Sequence, residues 1–420
     1  MLFSVIIPVF NDEKFILSAV HSVLDQGFDD LQVVIVDDAS TDRSGRIADD
    51  LSVKYDNVVA LHNEFNVGVG LSRNNGIAHS SGDYLIFLDS DDVLMDGGLF
   101  GLHEVVSNTN EADVVSVVWM DEFTEEVNNA FDERRELVVD DYIDSIIQAE
   151  YKANFCWSYI VKRRFILEND IYFIDINVGE DVDFVVKVLT SANKMAYCPG
   201  LFYLYRGSGR LSKDVSLGTS VGLLELVVSL YFSLCGVGLG RNRAVEFVLS
   251  RIRDVLRILA VRLCLFDDDV LIGFKADADR LSQRVNDSDT FKKRGYIDHH
   301  GVDFYTDLLG MVKYLLDLVL GCVDRMEVSK VYLFCASVDS FSAVNILMKH
   351  GYTVKGVFDN NKSLVGKELC AGVKVIDVES VEESAYVVVV NPNNNTFLDI
   401  KAQLVELGVN EVNISHLNMQ

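Results

Sequence analysis

The first hundred residues alternate short apolar runs with helix-like segments, and this alternation constrains the fold more than any other feature of the chain. The apolar runs at residues 3–9, 32–36 and 84–88 are of strand length, and helix-like segments such as 13–26 and 68–79 lie between them. Strands and helices that alternate through short connections predict a mostly parallel sheet. We therefore expect an α/β domain of the nucleotide-binding type.

The last of these strands ends on a cluster of acidic residues. Residues 85–88 are all apolar, and three carboxylates follow in four positions, Asp89, Asp91 and Asp92. Carboxylates this close together repel one another unless a divalent cation or hydrogen-bond donors lie among them. Ligands of open α/β sheets bind beyond the carboxyl ends of strands, so the cluster indicates a metal site. A solvated acidic turn is the alternative, because Asp is common in turns.

Two other strand ends carry residues that suit a nucleotide. Phe10 follows the first strand, and its ring can stack on a base. Asp38 follows the second strand, and its carboxylate can accept the N3 proton of uracil or thymine. Phe10 could instead belong to the core, and Asp38 could instead cap the helix expected from Ser44. Neighbouring parallel strands would bring both residues to one edge of the sheet.

Charge and cysteine content exclude some partners. The chain has 64 acidic and 37 basic residues and a net charge of −27, so phosphate-rich nucleic acid is an unfavourable partner. Its seven cysteines are widely spaced and contain no Cys-x-x-Cys pair, which indicates thiols in a reducing cytoplasm. The first residues lack the features of a secretory signal, and we expect a cytoplasmic protein.

One long apolar stretch complicates this expectation. Residues 215–240 contain a single charged residue, Glu225, and could cross a bilayer. The stretch also contains glycines and serines and has no basic anchor at its start, which favours a buried helical hairpin. Peripheral contact with the inner face of a membrane stays open.

The pattern changes twice along the chain. We divide it into an α/β domain at residues 1–211, a mostly helical region at 212–325 and a small Rossmann-like α/β domain at 326–420. In the last domain Asp359 has the place of a ribose-binding acid, but the loop at residues 335–340 has none of the glycines that let a backbone approach a pyrophosphate. We therefore expect this domain to have a structural role or to mediate assembly, either of a homo-oligomer or with a protein partner.

Four ordered motifs together resemble glycosyltransferase family 2. They are SVIIPVFND, VVIVDDASTDRS, NVGVGLSRNNGIAHSSGDYLIFLDSDD and a later GED, and the resemblance covers residues 3–210. It implies the GT-A fold and transfer of a sugar from a nucleotide donor. It also implies a nucleotide site in which Phe10 stacks on the base, Asp38 reads the base and Arg73 lies near the base and diphosphate. Pro8 and Ser90 join this nucleotide-binding set.

The same resemblance assigns the acidic cluster. Asp89 would lie near the ribose, and Asp91 would hold the Mn²⁺ or Mg²⁺ that bridges the two phosphates. Hard oxygen ligands suit these cations. Asp92 would support the site or take no part in it.

The resemblance also implies an acceptor side. Asp181 would be the base that takes the proton of the acceptor hydroxyl, with Glu180 beside it; the alternative is an acidic first turn of a helix. Trp157 would form the acceptor wall, unless it is a core residue. Arg206 and Arg210 would belong to a segment that closes over the diphosphate.

These features predict a metal-dependent inverting glycosyltransferase. Its donor would be a UDP-sugar, less favourably a dTDP-sugar, and its acceptor a carbohydrate or lipid-linked glycan in bacterial surface polysaccharide synthesis. A sugar nucleotidyltransferase would need a phosphate loop rich in glycine and lysine after Pro8, which is absent from the sequence. A non-catalytic nucleotide-sugar-binding scaffold is the other alternative. An NAD-dependent oxidoreductase is disfavoured by the missing glycines.

Overall fold

The protein is described by a computed structural model that divides into two compact units. The first unit consists of Met1–Val255 with Val285–His300, and the second of Leu256–Arg284 with Gly301–Gln420. The structure describes residues 3–109, 112–122, 127–128, 136–148, 155–206, 217–236, 242–263, 268–286, 330–334, 338–360, 362, 364–370, 372–390 and 394–417.

Four parallel strands open the first unit, namely β1 (Phe3–Val9), β2 (Leu31–Asp37), β3 (Val58–His62) and β4 (Tyr84–Phe87). The helices between them are α1 (Ile16–Leu24), α2 (Ser44–Lys54) and α3 (Val69–His79). The strands lie in the order β3, β2, β1, β4, and Val5 of β1 pairs with both Val33 and Ile86. Every residue of β1 and β4 is buried, so both faces of these strands are covered. The α/β prediction is confirmed.

The sheet becomes mixed beyond β4. The following elements are β5 (Val93–Leu94), α4 (Gly98–Asn108), β6 (Val114–Asp121), β7 (Val127–Asn128), β8 (Glu136–Leu137), α5 (Val139–Gln148), β9 (Tyr159–Lys162), α6 (Arg163–Glu168), α7 (Glu180–Ser191) and β10 (Met195–Tyr205). β9 lies between β4 and β6 and is antiparallel to both, whereas β10 is parallel to β6. The expected parallel pairing therefore holds for the first four strands and for β6 with β10, and β9 makes the sheet mixed.

Three long helices follow, α8 (Leu217–Gly236), α9 (Asn242–Leu263) and α10 (Asp268–Asn286). α8 is one continuous helix, so the helical hairpin expected at residues 215–240 is wrong for the described part of that stretch. Its apolar residues are buried within the first unit, where Leu226 lies against Gly179 at the start of α7. Ser229 Oγ on the same helix donates a hydrogen bond to Asp183 Oδ1 at 2.5 Å. No helix in the described ranges is long and apolar enough to cross a bilayer.

The second unit contains a separate sheet. Its elements are β11 (Lys330–Phe334), α11 (Val338–Lys349), β12 (Thr353–Asp359), β13 (Glu368–Cys370), β14 (Val373–Asp377), β15 (Val387–Val390), α12 (Asn394–Glu406) and β16 (Ile414–Leu417). Five parallel strands lie in the order β14, β12, β11, β15, β16, which is the doubly wound order of Rossmann-type sheets. Phe334, Phe358, Val387 and Leu404 form part of its core.

Candidate active site

The carboxyl ends of the first four strands meet at one edge of the sheet. Phe10 follows β1 there and is 45% exposed, so its ring is available to a ligand. Asp38 follows β2 and donates its backbone N–H to Val9 O at 2.9 Å, while Asn63 follows β3 and donates to Asp37 O at 2.9 Å. Asp89 lies just beyond β4. The structure thus brings the predicted nucleotide-site residues together, with Asn63 as a neighbour that the sequence interpretation did not include.

Asp38 holds the loop that leads into α3. Its Oδ1 accepts hydrogen bonds from Asn63 Nδ2 at 2.8 Å and Val67 N at 2.9 Å, and its Oδ2 accepts one from Gly68 N at 2.9 Å. The side chain is buried. Because a carboxylate offers about four acceptor positions, these three bonds leave about one for a ligand. Asp38 does not cap α2, which was the alternative considered from the sequence.

Side chains from three segments fix the rest of this edge. Asn11 adopts a left-handed conformation at φ 55°, and its Oδ1 accepts the backbone N–H of Thr41 at 2.7 Å. Ser90 Oγ donates to Asp12 Oδ2 at 2.6 Å. Pro8 is buried in β1. Pro8 and Ser90 therefore shape the edge by packing and by holding a neighbouring carboxylate.

Arg73 joins the strand edge to the start of α7. Its Nη2 donates to Asp89 Oδ1 at 2.8 Å, and its Nη1 donates to Asp181 Oδ1 at 2.6 Å and Glu180 Oε1 at 3.0 Å. The Arg73 side chain is 3% exposed, whereas that of Asp181 is 17% exposed and can be reached from solvent. One buried guanidinium therefore unites carboxylates that are distant in sequence.

Local backbone geometry makes this cluster possible. Gly179 precedes α7 with φ 90°, a conformation that suits glycine, and a Cβ there would lie 2.6 Å from Leu226 Cδ2. Gly70 on α3 faces Glu180, and a Cβ on it would lie 3.2 Å from Glu180 Cγ. Gly70 lets α3 approach α7 closely enough for Arg73 to reach both carboxylates, and Gly179 lets α8 pack against the start of α7.

Burial changes the acid strength of this cluster. Burial and the Asp181 charge raise the pKa of Glu180 to about 7, and the Arg73 charge opposes them. The pKa of Asp181 is also raised. Burial and the charge of Asp89 raise it by more than the charge of Arg73 lowers it. Asp181 Oδ2 accepts a hydrogen bond from the backbone N–H of Cys156 at 3.4 Å. Burial raises the pKa of the Cys156 thiol, so the thiol stays protonated and hydrogen-bonds to the same carboxylate. A raised pKa suits a group that accepts a proton near neutral pH.

The three aspartates after β4 occupy different surroundings. Asp92 is buried, and its carboxylate accepts hydrogen bonds from the Tyr203 hydroxyl at 2.6 Å and from the backbone N–H of Arg206 at 2.7 Å. Burial and the Asp89 charge raise the pKa of Asp92 to about 8. Asp92 therefore ties the turn to β10, a role consistent with support of the site. Asp91 is partly exposed.

The donor set fits a cation shared with substrate phosphates. Asp91 is the candidate ligand, because it is partly exposed in the turn after β4, whereas Asp92 is buried. In the part of the chain that the structure describes, no group of three or more His, Cys, Asp or Glu side chains is arranged to hold a metal. Mg²⁺ commonly binds through one or two carboxylates together with substrate phosphates, so a single protein carboxylate is compatible with it.

The acceptor-side expectations need one correction. Trp157 is 2% exposed and its ring is stacked on those of Phe155 and Tyr203, with centroids 4.7 and 4.4 Å away. It is a core residue and cannot present a face to a sugar. Arg206 directs Nη1 to Ser18 Oγ at 2.9 Å. Arg210 lies outside the described residues.

Part of the chain is similar to known glycosyltransferases. The model of glycosyl transferase family 2 matches residues 4–169, so this part of the chain resembles that family. The Bacillus subtilis minor teichoic acid biosynthesis protein GgaB is 30% identical over 49% of this chain and 23% of its own. The poly(ribitol-phosphate) beta-glucosyltransferase of Bacillus spizizenii is 35% identical over 27% of this chain and 18% of its own.

These similarities are partial. The chain spans less than a quarter of the length of both these curated relatives. A crystal structure of Staphylococcus aureus TarS with UDP-GlcNAc is 22% identical over 68% of this chain and 84% of that chain, with a TM-score of 0.49.

Proposed function

We propose that the protein is a metal-dependent, inverting glycosyltransferase that moves a sugar from a UDP-sugar, less favourably a dTDP-sugar, to a carbohydrate hydroxyl. The observation that carries this proposal is the Arg73 cluster. It brings the acid after β4 and the acid at the start of α7, Asp89 and Asp181, to opposite ends of one guanidinium. A transferase needs a donor site and a base at one place, and this cluster supplies both.

The chain's own residues suggest how each half of the donor is held. The exposed Phe10 ring stacks on the base, and the free acceptor position of Asp38 receives the N3 proton of uracil. Asp89 lies toward the ribose. Arg73 balances the negative charge of Asp89 and Asp181, so the diphosphate does not enter an uncompensated acidic pocket.

Asp181 is the proposed base. Its carboxylate takes the proton of the acceptor hydroxyl while the hydroxyl oxygen attacks the anomeric carbon and the bond to UDP breaks. A single in-line displacement inverts the anomeric centre, so an α-linked donor gives a β-linked product. Arg73 and Cys156 hold the two Asp181 oxygens and fix the orientation of the carboxylate.

Asp91 would hold the divalent cation, Mn²⁺ or Mg²⁺. The cation would neutralise the charge that develops on the leaving diphosphate.

The names of two matched relatives suggest the biological setting of the reaction. The matched relatives include proteins named for teichoic acid biosynthesis and for glucosyl transfer to poly(ribitol-phosphate), so we propose a surface-glycan acceptor, carbohydrate or lipid-linked. We also propose cytoplasmic placement with peripheral contact to the inner membrane face. We propose three domains along the chain, a transferase domain at 1–211, a helical region at 212–325 and a Rossmann-like domain at 326–420, and the last would serve oligomer or partner assembly.

A donor panel tests the proposal. UDP-, dTDP- and GDP-sugars are incubated with the protein and Mn²⁺, with and without chelator, and nucleoside diphosphate release is measured. We expect release from UDP-sugars that chelator abolishes. Asp91→Ala should lose this release, whereas Asp96→Asn, at an exposed acid in the turn after β5, should keep it. Equal release with chelator, or from Asp91→Ala, contradicts the metal assignment.

The stereochemical part of the proposal has its own test. Proton NMR of the first product reports the anomeric configuration. A β-linked product from an α-linked donor is expected, and retention of configuration contradicts the single displacement.

A further inference from the structure

A polar residue at the end of β3 contacts the carboxylate that we assign to base recognition. Asn63 Nδ2 donates hydrogen bonds to Asp38 Oδ1 at 2.8 Å and to Ser72 Oγ at 3.0 Å. Asn63 Oδ1 accepts a hydrogen bond from Asn75 Nδ2 at 2.9 Å. The backbone N–H of Asn63 donates to Asp37 O at 2.9 Å. Both ends of the Asn63 amide are therefore engaged by protein groups.

Helix α3 holds this amide in one orientation. Ser72 and Asn75 both lie on α3, and Ser72 is buried. Rotation of the amide by 180° would turn Asn63 Oδ1 toward the Asp38 carboxylate and would bring its NH₂ group against the Asn75 NH₂ group. Two acceptors would then face each other, and so would two donors. Asn63 therefore presents a donor to Asp38.

This contact determines what Asp38 offers to a ligand. Its Oδ1 accepts from Asn63 Nδ2 and Val67 N, whereas its Oδ2 accepts from Gly68 N. The remaining acceptor position of the carboxylate therefore lies on Oδ2. Because these three neighbouring groups are all N–H donors, Asp38 faces a ligand as an acceptor. Uracil and thymine carry an N–H at N3, whereas N3 of cytosine is itself an acceptor.

We propose that Asn63 is a positioning residue that sets the base preference of the donor site. By donating to Oδ1 it keeps Asp38 an acceptor and leaves Oδ2 for the N3 proton of uracil or thymine. Cytosine is rejected, because two acceptors would face each other without a proton between them. The inference rests on the proposed function, in which Asp38 reads the base, but its binding test needs no turnover.

Calorimetry with UDP and with CDP, each with Mn²⁺ present, measures this preference in the full-length protein. The wild type should bind UDP at least about tenfold more tightly than CDP. Asn63→Leu keeps the approximate size of the side chain but has no donor. An apolar group beside a buried carboxylate favours the protonated form, which can donate to N3 of cytosine. UDP binding should weaken roughly tenfold and the UDP-to-CDP preference should fall at least about fivefold, and an unchanged preference overturns the proposal.

Asn63→Asp tests the donor itself. The variant keeps the shape of the side chain, and its new carboxyl group can donate to Asp38 Oδ1 when protonated but repels Asp38 when ionised. Compared with the wild type at the same pH, UDP binding should be nearly normal at pH 6 and roughly tenfold weaker at pH 8. Packing alone would not produce this pH dependence. The same variant-to-wild-type ratio at both pH values contradicts the donor role, and this variant decides the case if Asn63→Leu does not fold.

His62→Gln is the matched control at the neighbouring residue. The ring nitrogens of His62 lie 3.1 Å from Asp37 Oδ2 and 2.9 Å from Asp49 Oδ1, so this side chain ties the same strand end to β2 and α2. Its replacement should lower the midpoint of thermal unfolding, as Asn63→Leu does, but should leave the UDP-to-CDP preference unchanged. An equal fall of the preference in both variants indicates general loosening of the strand end and overturns the specific role of Asn63.

Failure of this role and failure of the proposed function give different results. Transfer from UDP-sugars by the wild type, with a base preference that the Asn63 variants leave unchanged, retains the transferase and removes the role of Asn63. A UDP preference that Asn63→Leu lowers, without turnover of any UDP-sugar by the wild type, retains the role and removes the proposed reaction. Equal binding of UDP and CDP by the wild type contradicts both the role of Asn63 and base reading by Asp38.

Discussion

Glu180→Gln should make the stability of the first unit less dependent on pH. Glu180 is buried beside Asp181, and these two causes raise its pKa to about 7, against an ordinary value of 4.5. Its folded pKa exceeds its unfolded pKa, so the folded protein binds the proton more tightly. The stabilisation is complete below about pH 4.5 and is lost as the pH rises through 7. Glutamine cannot ionise and removes this contribution.

The magnitude follows from the shift. A pKa difference of one unit corresponds to about 1.4 kcal/mol, so a rise from 4.5 to about 7 gives roughly 3 kcal/mol between acidic and alkaline conditions. Coupling to Asp181 and Arg73 shares this amount among the three groups. We therefore expect at least half of it, about 1.5 kcal/mol, to disappear in the variant.

Urea unfolding followed by tryptophan fluorescence measures this effect, because both tryptophans lie in the first unit. The free energy of unfolding is determined at pH 5 and pH 8 for wild type and Glu180→Gln. Glu168→Gln is the matched control, since Glu168 forms an exposed pair with Arg164. The raised pKa of Glu180 is contradicted if Glu180→Gln shows the same difference in unfolding free energy between the two pH values as the wild type.

Three further changes probe the supporting structure. Asp38→Ala removes the acceptor of three loop hydrogen bonds, so it should lower the free energy of unfolding by about 2–4 kcal/mol and raise the KM for the donor. An unchanged KM for the donor contradicts the place of Asp38 in the nucleotide site. Gly179→Ala places a Cβ 2.6 Å from Leu226 at φ 90°, and it should lower the free energy of unfolding in urea by about 1–3 kcal/mol. Gly27→Ala, at φ 65° with open space around it, should lower the free energy of unfolding by less. Equal losses in the two variants contradict the packing argument. Arg73→Lys should lower kcat at least tenfold, because one ammonium cannot replace the guanidinium contacts to three carboxylates; wild-type kcat and an unchanged pH profile contradict the role of the cluster.

The strand edge was predictable because its signals are local. Apolar runs of strand length mark β1, β2 and β4, and parallel neighbours necessarily bring their carboxyl ends together. Phe10, Asp38 and Asp89 each follow one of these strands directly, so their place at one edge follows from the sequence. It did not predict the antiparallel insertion of β9, because a four-residue strand carries no information on which neighbour it pairs with.

The roles of individual side chains depended on distant partners. Trp157 had the residue type of an acceptor wall, but the rings of Phe155 and Tyr203 cover it. Residues 215–240 were expected to turn back on themselves because of their glycines and serines. Instead Ser229 bonds to Asp183 on α7, and α8 continues as one helix. Such contacts between elements far apart in the chain are not encoded in local periodicity.

Transfer by Asp181→Asn gives the most direct test of the central claim. The substitution preserves the shape of the side chain at the Arg73 contact but removes its ability to accept a proton. With a UDP-sugar, Mn²⁺ and an oligosaccharide acceptor, kcat should fall by about 10²- to 10⁴-fold while UDP binding by calorimetry stays within a few-fold of wild type. Full turnover by Asp181→Asn would contradict the account.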